Sequence, residues 1–145
     1  MAIDYYAINT QAIDQMLAVK KHVSTINVKT KSLVELRVSQ INGCAYCVDL
    51  HANEARQLGV LQQALDCLTV WEESDLFSAS ESRALMWAET VTNISTVHSV
   101  ERRLTSLLEQ YTEEEVVDLT VIIALMNCMN RMAISFGSKP PVRSE

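Results

Sequence analysis

The chain has 145 residues, of which 48% are hydrophobic, and its 18 acidic and 12 basic residues give a net charge of −6. A chain of this length is expected to form a single domain, residues 1–145, with a core that needs no stabilising disulfide or metal. The acidic balance argues against nucleic acid as a partner. With only three glycines and two prolines, the composition also argues against disorder and against turn-rich β architectures.

The sequence shows no pattern of a signal peptide or of a membrane span. Residues 1–10 lack a cationic start followed by an apolar stretch. The longest apolar window, residues 116–129, is interrupted by Asp118, Thr120 and Asn127. We therefore expect a cytoplasmic protein without a membrane partner. In that reducing compartment its four cysteines do not indicate a disulfide framework.

Apolar residues recur at intervals of three and four along most of the chain, which predicts an all-α domain of about seven helices. The first is expected from about Asn9 to Val23 and the second from about Thr30 to Ile41. The turn signal Asn42-Gly43 ends the second helix. The third helix starts near Cys44 and stops at Gly59, which has the position of a C-terminal cap.

Two capping boxes mark the starts of later helices. Ser78 with Glu81 precedes one predicted helix, and Thr112 with Glu115 precedes the last, which runs to about Phe136. The other two predicted helices lie at about residues 60–71 and 100–111.

The clearest chemical signal is a Cys-x-x-Cys pair, Cys44 and Cys47, followed four residues later by His51. On a helix, residues three or four apart are neighbours, so the three side chains are predicted to share one face. Cysteines in a first helical turn lie near free backbone N–H groups and the positive end of the helix dipole, which stabilise a thiolate. A neighbouring histidine can act as a base, and the second sulfur can form a disulfide.

A Cys-x-x-Cys pair also occurs in zinc sites, in haem attachment sites and in thioredoxin-type sites. A zinc site needs a fourth ligand, and no second pair follows. Covalent haem needs a histidine directly after the second cysteine, where Val48 stands. A thioredoxin-type site needs a βαβ context, which the helical pattern does not provide. A purely structural pair in the core is a further alternative.

Several polar residues outside the pair have more ordinary interpretations. The basic stretch before the motif is interpreted as a solvated surface, and His22 and His98 fall outside any constellation. Glu54, one turn past His51, can either orient the ring or form a surface salt bridge. The basic stretch consists of Lys20, Lys21, Lys29 and Lys31. The isolated cysteines, Cys67 and Cys128, are expected to be small core residues.

The segment from Glu35 to His51, ELRVSQINGCAYCVDLH, resembles the core of AhpD-like alkylhydroperoxidases, which belong to the carboxymuconolactone decarboxylase superfamily. The resemblance continues in Ala55-Arg56 and Gly59, and in residues 71–74, 83–89 and 127–131. It implies a helical domain that forms a homo-oligomer, a trimer or hexamer. It also implies reduction of hydrogen peroxide or organic hydroperoxides in antioxidant defence.

The resemblance also implies a role for each residue of the motif. Cys47 is the thiol oxidised by peroxide, Cys44 its proton donor and resolving partner, and His51 a proton relay. The family places a relay glutamate twelve residues before the first cysteine, where this chain has Ser32, and Glu35 lies three residues later. Glu35 is therefore either the relay or a solvated charge.

Other matching positions have no assigned chemistry. Tyr46 is expected to pack or to donate a hydrogen bond, and Asn127, Asn130 and Arg131 are expected in packing or subunit contacts.

The resulting hypothesis is an alkylhydroperoxidase that needs no cofactor or metal and uses an unidentified thiol or dithiol reductant. The alternatives are a redox-switched binding or chaperone protein and another activity of the same family. The paired cysteines argue against lactone decarboxylation, because the decarboxylating members lack them.

Overall fold

A computed structural model describes residues 2–143, and these form an all-α domain without β-strands, as predicted. Eight α-helices and two short 3₁₀ segments make up the described part of the chain. The α-helices are α1 (Tyr5–Ile8), α2 (Thr10–Ala18), α3 (Val28–Asn42), α4 (Ala45–Gln57), α5 (Gln62–Asp66), α6 (Ala79–Thr92), α7 (Val100–Leu107) and α8 (Glu113–Ser135). The 3₁₀ segments are Val19–His22 after α2 and Leu68–Glu73 after α5.

The predicted number of about seven helices is slightly low, because short elements escape a periodicity argument. Helix α1 has four residues and is capped by Asp4, whose Oδ1 accepts a hydrogen bond from the Ala7 amide at 3.0 Å. The predicted helix at residues 60–71 is broken, since α5 ends before Cys67 and Val70 has non-helical backbone angles. Both predicted capping boxes are present, at Ser78 and Thr112.

Helix α3 lies between two hydrophobic clusters, which explains why it is buried on most of its faces. Val34 and Val38 pack into a cluster with residues of α6 and α8, whereas Leu33 and Leu36 pack into one with residues of α4, α6 and the second 3₁₀ segment. Because both sides are covered, some polar side chains in the middle of α3 face protein. Glu35 and Ser39 are buried in this way.

Helix α8 is the only described helix long and apolar enough to cross a membrane by length and composition. It packs against α3 and α6, and Leu119, Ile122 and Ile123 are fully buried. An apolar helix in a protein core meets the same criteria.

Buried amides join the end of α3 to α8. Asn130 is fully buried; its Oδ1 accepts a hydrogen bond from Asn42 Nδ2 at 3.0 Å, and its Nδ2 donates to Ser39 Oγ at 3.1 Å. Asn42 Nδ2 also donates to Asn127 Oδ1 at 3.0 Å, and the Arg131 guanidinium folds back onto the same amide oxygen. These residues therefore fix the position at which α3 ends, which agrees with a packing role.

Replacing Asn130 by Ala is expected to lower the free energy of unfolding by about 1–3 kcal/mol, because Ser39 and Asn42 lose a buried partner. Urea denaturation of both proteins measures the difference. Ser135→Ala, at an exposed position of the same helix, is the control and should change stability by less than about 0.5 kcal/mol. An equal effect of both substitutions would contradict the structural role of the amide.

Candidate active site

A sharp turn between α3 and α4 places the first cysteine. Gly43 has φ of 70°, a left-handed conformation that suits glycine, and its amide donates to carbonyls in the last turn of α3. Cys44 then caps α4, and its Sγ accepts a hydrogen bond from the Cys47 amide at 3.3 Å. Both cysteines therefore lie at the N-terminal end of a helix, as the sequence predicted.

Cys44 and Cys47 form a disulfide, with their Cα atoms 5.3 Å apart. Both are buried, at 2% and 5% exposure, and they pack against Ala133 of α8. In the reduced state, the N–H groups of the first turn and the helix dipole stabilise a thiolate at this place. The arrangement can carry out thiol–disulfide chemistry away from bulk water.

His51 lies one turn beyond Cys47 on α4 and is also buried, at 3% exposure. Its Nδ1 is 2.7 Å from Glu54 Oε2 and 3.7 Å from Glu35 Oε2. The nearer carboxylate makes the hydrogen bond, so Glu54 orients the ring. The structure thus brings Glu35 to the histidine, but Glu54 is in closer contact.

Ser32, which stands where the family resemblance places a glutamate, makes no hydrogen bond to His51. Its hydroxyl donates to the Lys29 carbonyl at 2.8 Å within α3. Glu35 lies almost one turn further along the same helix and is only 3% exposed. Of the two positions, Glu35 is therefore the one that can exchange a proton with His51.

The interpretation of the basic stretch as a solvated surface is wrong for Lys20. Its Nζ lies 2.5 Å from Glu35 Oε1, and its side chain is 29% exposed. The contact is an ion pair rather than an aligned hydrogen bond, because that oxygen accepts no hydrogen bond from any described residue. Lys21 and Lys29 are exposed, as predicted. Lys20 differs from the neighbouring lysines because it reaches the buried carboxylate of Glu35. The sequence alone does not reveal this contact.

The hydrogen bond with His51 lowers the pKa of Glu54 below its ordinary value of 4.5, against the opposite effect of burial. A carboxyl with a lowered pKa in the folded state stabilises the fold above its unfolded pKa. That contribution is lost as the pH falls through the folded pKa. Stability that depends on Glu54 is therefore present at neutral pH and disappears below about pH 4.5.

We expect Glu54→Gln to flatten the loss of stability in the acidic range. The wild-type melting temperature should fall more steeply below pH 4.5 than that of the variant, because Gln has no proton to take up. Melting curves between pH 7 and pH 3 measure this. Glu101→Gln, at an exposed position, should follow the wild type, and parallel curves for Glu54→Gln and wild type would contradict the linkage.

Glu35, His51 and Glu54 each offer one ligand atom within 4.8 Å of the others. A carboxylate–imidazole set of this kind can bind a divalent cation. Here, however, the ammonium of Lys20 already contacts Glu35 and would repel such a cation. We therefore interpret the cluster as ion-paired and do not assign it as a metal site.

A cavity of about 650 Å³ opens beside Cys47 and His51. Its walls come from the N-terminal segment, α2, α4 and α8 and are mostly apolar. They include Ile3, Tyr5, Ile13, Leu17, Tyr46, Leu50, Met126, Met129 and Ala133. Tyr46 packs in this wall, and its hydroxyl makes no hydrogen bond to another described residue. The cavity is large enough for a drug-sized organic molecule.

Three side-chain contacts elsewhere in the fold were not predicted. Glu89 Oε1 accepts hydrogen bonds from Trp71 Nε1 at 2.9 Å and from Arg37 Nε at 2.8 Å, which ties α3 to α6 and the second 3₁₀ segment. Asp49 forms a bidentate ion pair with Arg143, at 2.9 and 2.6 Å. All five residues except Arg143 belong to stretches of family resemblance, but only the fold reveals that they meet.

Residues 9–90 match the model of the carboxymuconolactone decarboxylase family, which is more than half of the chain. The chain belongs to this family. An uncharacterised Bacillus subtilis protein, YdfG, is 37% identical over 94% of this chain and 95% of its own length. Similarity also extends to Escherichia coli YnjA, which is uncharacterised and 29% identical over 74% of this chain and 59% of its own.

Several solved structures share the fold of this chain. A protein of unknown function from Agrobacterium tumefaciens, considered a candidate AhpD antioxidant defence protein, superposes with a TM-score of 0.93. It is 33% identical, and the match covers 98% of this chain and 99% of that one. The debrominase Bmp8 has a TM-score of 0.79 at 21% identity, over 90% of this chain and 70% of its own. This family member therefore has an AhpD-like fold with a disulfide-bonded cysteine pair, and proteins of that fold include enzymes.

Proposed function

We propose that this chain is a thiol-dependent peroxidase that reduces organic hydroperoxides. The observation that carries the proposal is the buried Cys44–Cys47 pair, which lies beside His51 at an apolar cavity. A peroxidase of this kind needs a thiolate, a second thiol to close a disulfide, a proton relay and access for the peroxide. We assign the thiolate to Cys47, the second thiol to Cys44, the relay to His51 with Glu35, and peroxide access to the cavity.

The chemistry proceeds in two steps. The Cys47 thiolate attacks the terminal oxygen of the hydroperoxide, the O–O bond breaks, and Cys47 becomes a sulfenic acid while the alkoxide takes a proton to leave as an alcohol. Cys44 then attacks the Cys47 sulfur, forming the disulfide and releasing water. A dithiol reductant supplies two electrons and two protons to restore both thiols.

Two groups are in position to move the protons of these steps. His51 accepts the proton when the reacting thiolate forms, and Glu35, whose Oε2 lies 3.7 Å from Nδ1, exchanges that proton through one bridging water. Cys47 lines the cavity whereas Cys44 does not, which supports Cys47 as the sulfur that meets the peroxide.

The size of the cavity supports an organic substrate over hydrogen peroxide. Hydrogen peroxide is close in size to water, which occupies about 30 Å³ in the liquid. The cavity of about 650 Å³ exceeds this many times and is lined mainly by apolar groups. Burial of an alkyl or aryl group there contributes roughly 25 cal/mol per Å² to binding.

Turnover of cumene hydroperoxide with a small dithiol reductant tests the proposal. We expect catalytic consumption of peroxide, with one disulfide per chain in the peroxide-treated protein by mass spectrometry. Treatment of the reduced protein that yields neither turnover nor a Cys44–Cys47 disulfide would overturn it. A disulfide without turnover would favour a redox-switched binding protein.

A second candidate is thiol-dependent reduction of another apolar electrophile. Bmp8 is a debrominase, and a variant of it has been crystallised in complex with 2,3,4-tribromopyrrole. The cavity beside Cys47 is large enough for an aromatic ring of that size. Incubation of the reduced protein with 2,3,4-tribromopyrrole, with bromide release as the readout, tests this candidate.

We further propose that the protein is cytoplasmic and forms a homo-oligomer, a trimer or hexamer. Helix α8 is strongly apolar yet only partly buried, and Val117 on it is 61% exposed, which supports such an assembly. Light scattering after size-exclusion chromatography measures the mass, and a monomer at micromolar concentration would contradict it.

A further inference from the structure

Lys20 lies outside the cysteine motif, yet its ammonium contacts the carboxylate proposed for the proton relay. Nζ is 2.5 Å from Glu35 Oε1, while the other oxygen of the same carboxylate is 3.7 Å from His51 Nδ1. Glu35 is 3% exposed, so water contributes little to stabilising its charge. The lysine is therefore the main stabilising charge for this buried carboxylate.

The contact between Lys20 and Glu35 changes the net charge around His51. With neutral His51, the two carboxylates and the ammonium of Lys20 sum to a charge of −1. Without the ammonium the sum is −2, and the cluster binds an additional proton more tightly because opposite charges within about 4–6 Å favour the protonated imidazole. A proton held there makes His51 unable to accept one from the reacting thiol.

Lys20 also has a special position between two cavities. It lines the cavity beside Cys47 and a second one of about 310 Å³, which Lys31, Ser32, Glu35, Glu54 and Gln57 line in part. Lys20, Glu35 and Glu54 thus lie between the reacting thiol and a second cavity whose lining includes several charged and polar side chains. Glu35 lines only the second cavity, and His51 lines only the first.

We propose that Lys20 is a positioning residue of the proton relay: its ammonium holds the Glu35 carboxylate through Oε1 and offsets the negative charge of that carboxylate beside His51, so that the cluster favours a proton on the imidazole less than two uncompensated carboxylates would. This inference rests on the proposed peroxidase function for its catalytic consequence. The electrostatic coupling itself exists whether or not peroxide is the substrate.

Among the charged groups that line the two cavities, Lys20 is the one whose ammonium forms an ion pair with Glu35. Helix α8 presents only uncharged side chains to the cavity, Met126, Met129 and Ala133. The remaining charged or titratable groups that line the two cavities are Asp4, Tyr5, Tyr6, Lys31, Tyr46, Cys47, Glu54 and Lys139. None of them forms an ion pair with Glu35 in the described part of the chain.

The first test is the titration of His51 by NMR in the oxidised protein, which needs no turnover. Lys20→Met should raise its midpoint by about one pH unit or more. Lys20→Arg keeps the charge and should restore the wild-type midpoint. Lys21→Met, at an exposed position of the same 3₁₀ segment, is the matched control, and His98 serves as an internal reference.

The second test is the pH profile of kcat/KM for cumene hydroperoxide, whose acidic limb should move upward with the His51 midpoint in Lys20→Met. An unchanged His51 midpoint in folded Lys20→Met would overturn the proposal, and so would an equal shift in Lys21→Met. Should Lys20→Met not fold, Lys20→Gln provides the same loss of charge. A shifted midpoint in a protein without turnover would uphold the coupling and reject only the peroxidase function.

Discussion

Cys47→Ser is expected to lower kcat/KM for cumene hydroperoxide by at least about a thousandfold, because a serine hydroxyl cannot replace the thiolate as nucleophile. The effect should be on chemistry, since Cys47 forms a small part of the cavity wall. Coupled consumption of a dithiol reductant measures the rate. Retention of more than a tenth of the wild-type rate would contradict the role of Cys47.

Cys44→Ser separates the two cysteine roles. The variant should still react once with peroxide and accumulate a sulfenic acid on Cys47, visible by mass spectrometry as a gain of one oxygen. Its steady-state turnover should fall because no intramolecular disulfide forms. Cys128→Ser, outside the motif, is the control and should retain wild-type turnover. Sulfenic acid on Cys44 in a Cys47→Ser variant would instead reverse the assigned order.

Filling the cavity should change the choice of substrate. Met129→Trp places a larger side chain in the wall, so kcat/KM for cumene hydroperoxide is expected to fall about tenfold or more. Hydrogen peroxide needs little of the volume, and its kcat/KM should stay within about twofold. Wild type should prefer cumene hydroperoxide. The ratio of the two kcat/KM values, measured in one assay, is the readout.

Ile134→Trp is the matched control for this prediction. Ile134 is on the same helix, is 48% exposed and does not line the cavity, so both substrates should react as in wild type. Leu17→Phe fills the cavity from α2 and tests the same point without altering α8. Equal loss for both peroxides in the filled variants would show that the cavity does not select by size.

Local patterns in the sequence predicted the elements that depend on neighbouring residues. The turn at Gly43, the start of α4 at the cysteines and the capping boxes at Ser78 and Thr112 are all present. Each depends on residues within about four positions, for which helical spacing is a reliable guide. The short breaks after Ala18 and at Val70 follow no such local pattern and were missed.

Contacts between distant residues could not be predicted in the same way. Lys20 was interpreted as solvated because its neighbours are basic, whereas packing of the first 3₁₀ segment brings it to Glu35. The choice between Ser32 and Glu35 also depended on which of them meets α4. The buried amide network at Asn130 joins residues about ninety positions apart in the chain.

The turn at Gly43 also relates the positions of Glu35 and His51 to the number of residues that separate each of them from the turn. Helices α3 and α4 form a hairpin whose two arms start at this turn. Glu35 lies seven residues before the end of α3 and His51 lies six residues after the start of α4, which at about 1.5 Å per residue puts both at nearly the same height. A single-residue insertion in either arm would rotate one side chain by about 100° away from the other. The spacing of Glu35, the two cysteines and His51 is thus matched to the geometry of this hairpin, and related sequences can be searched for a glutamate at this same spacing without reference to overall identity.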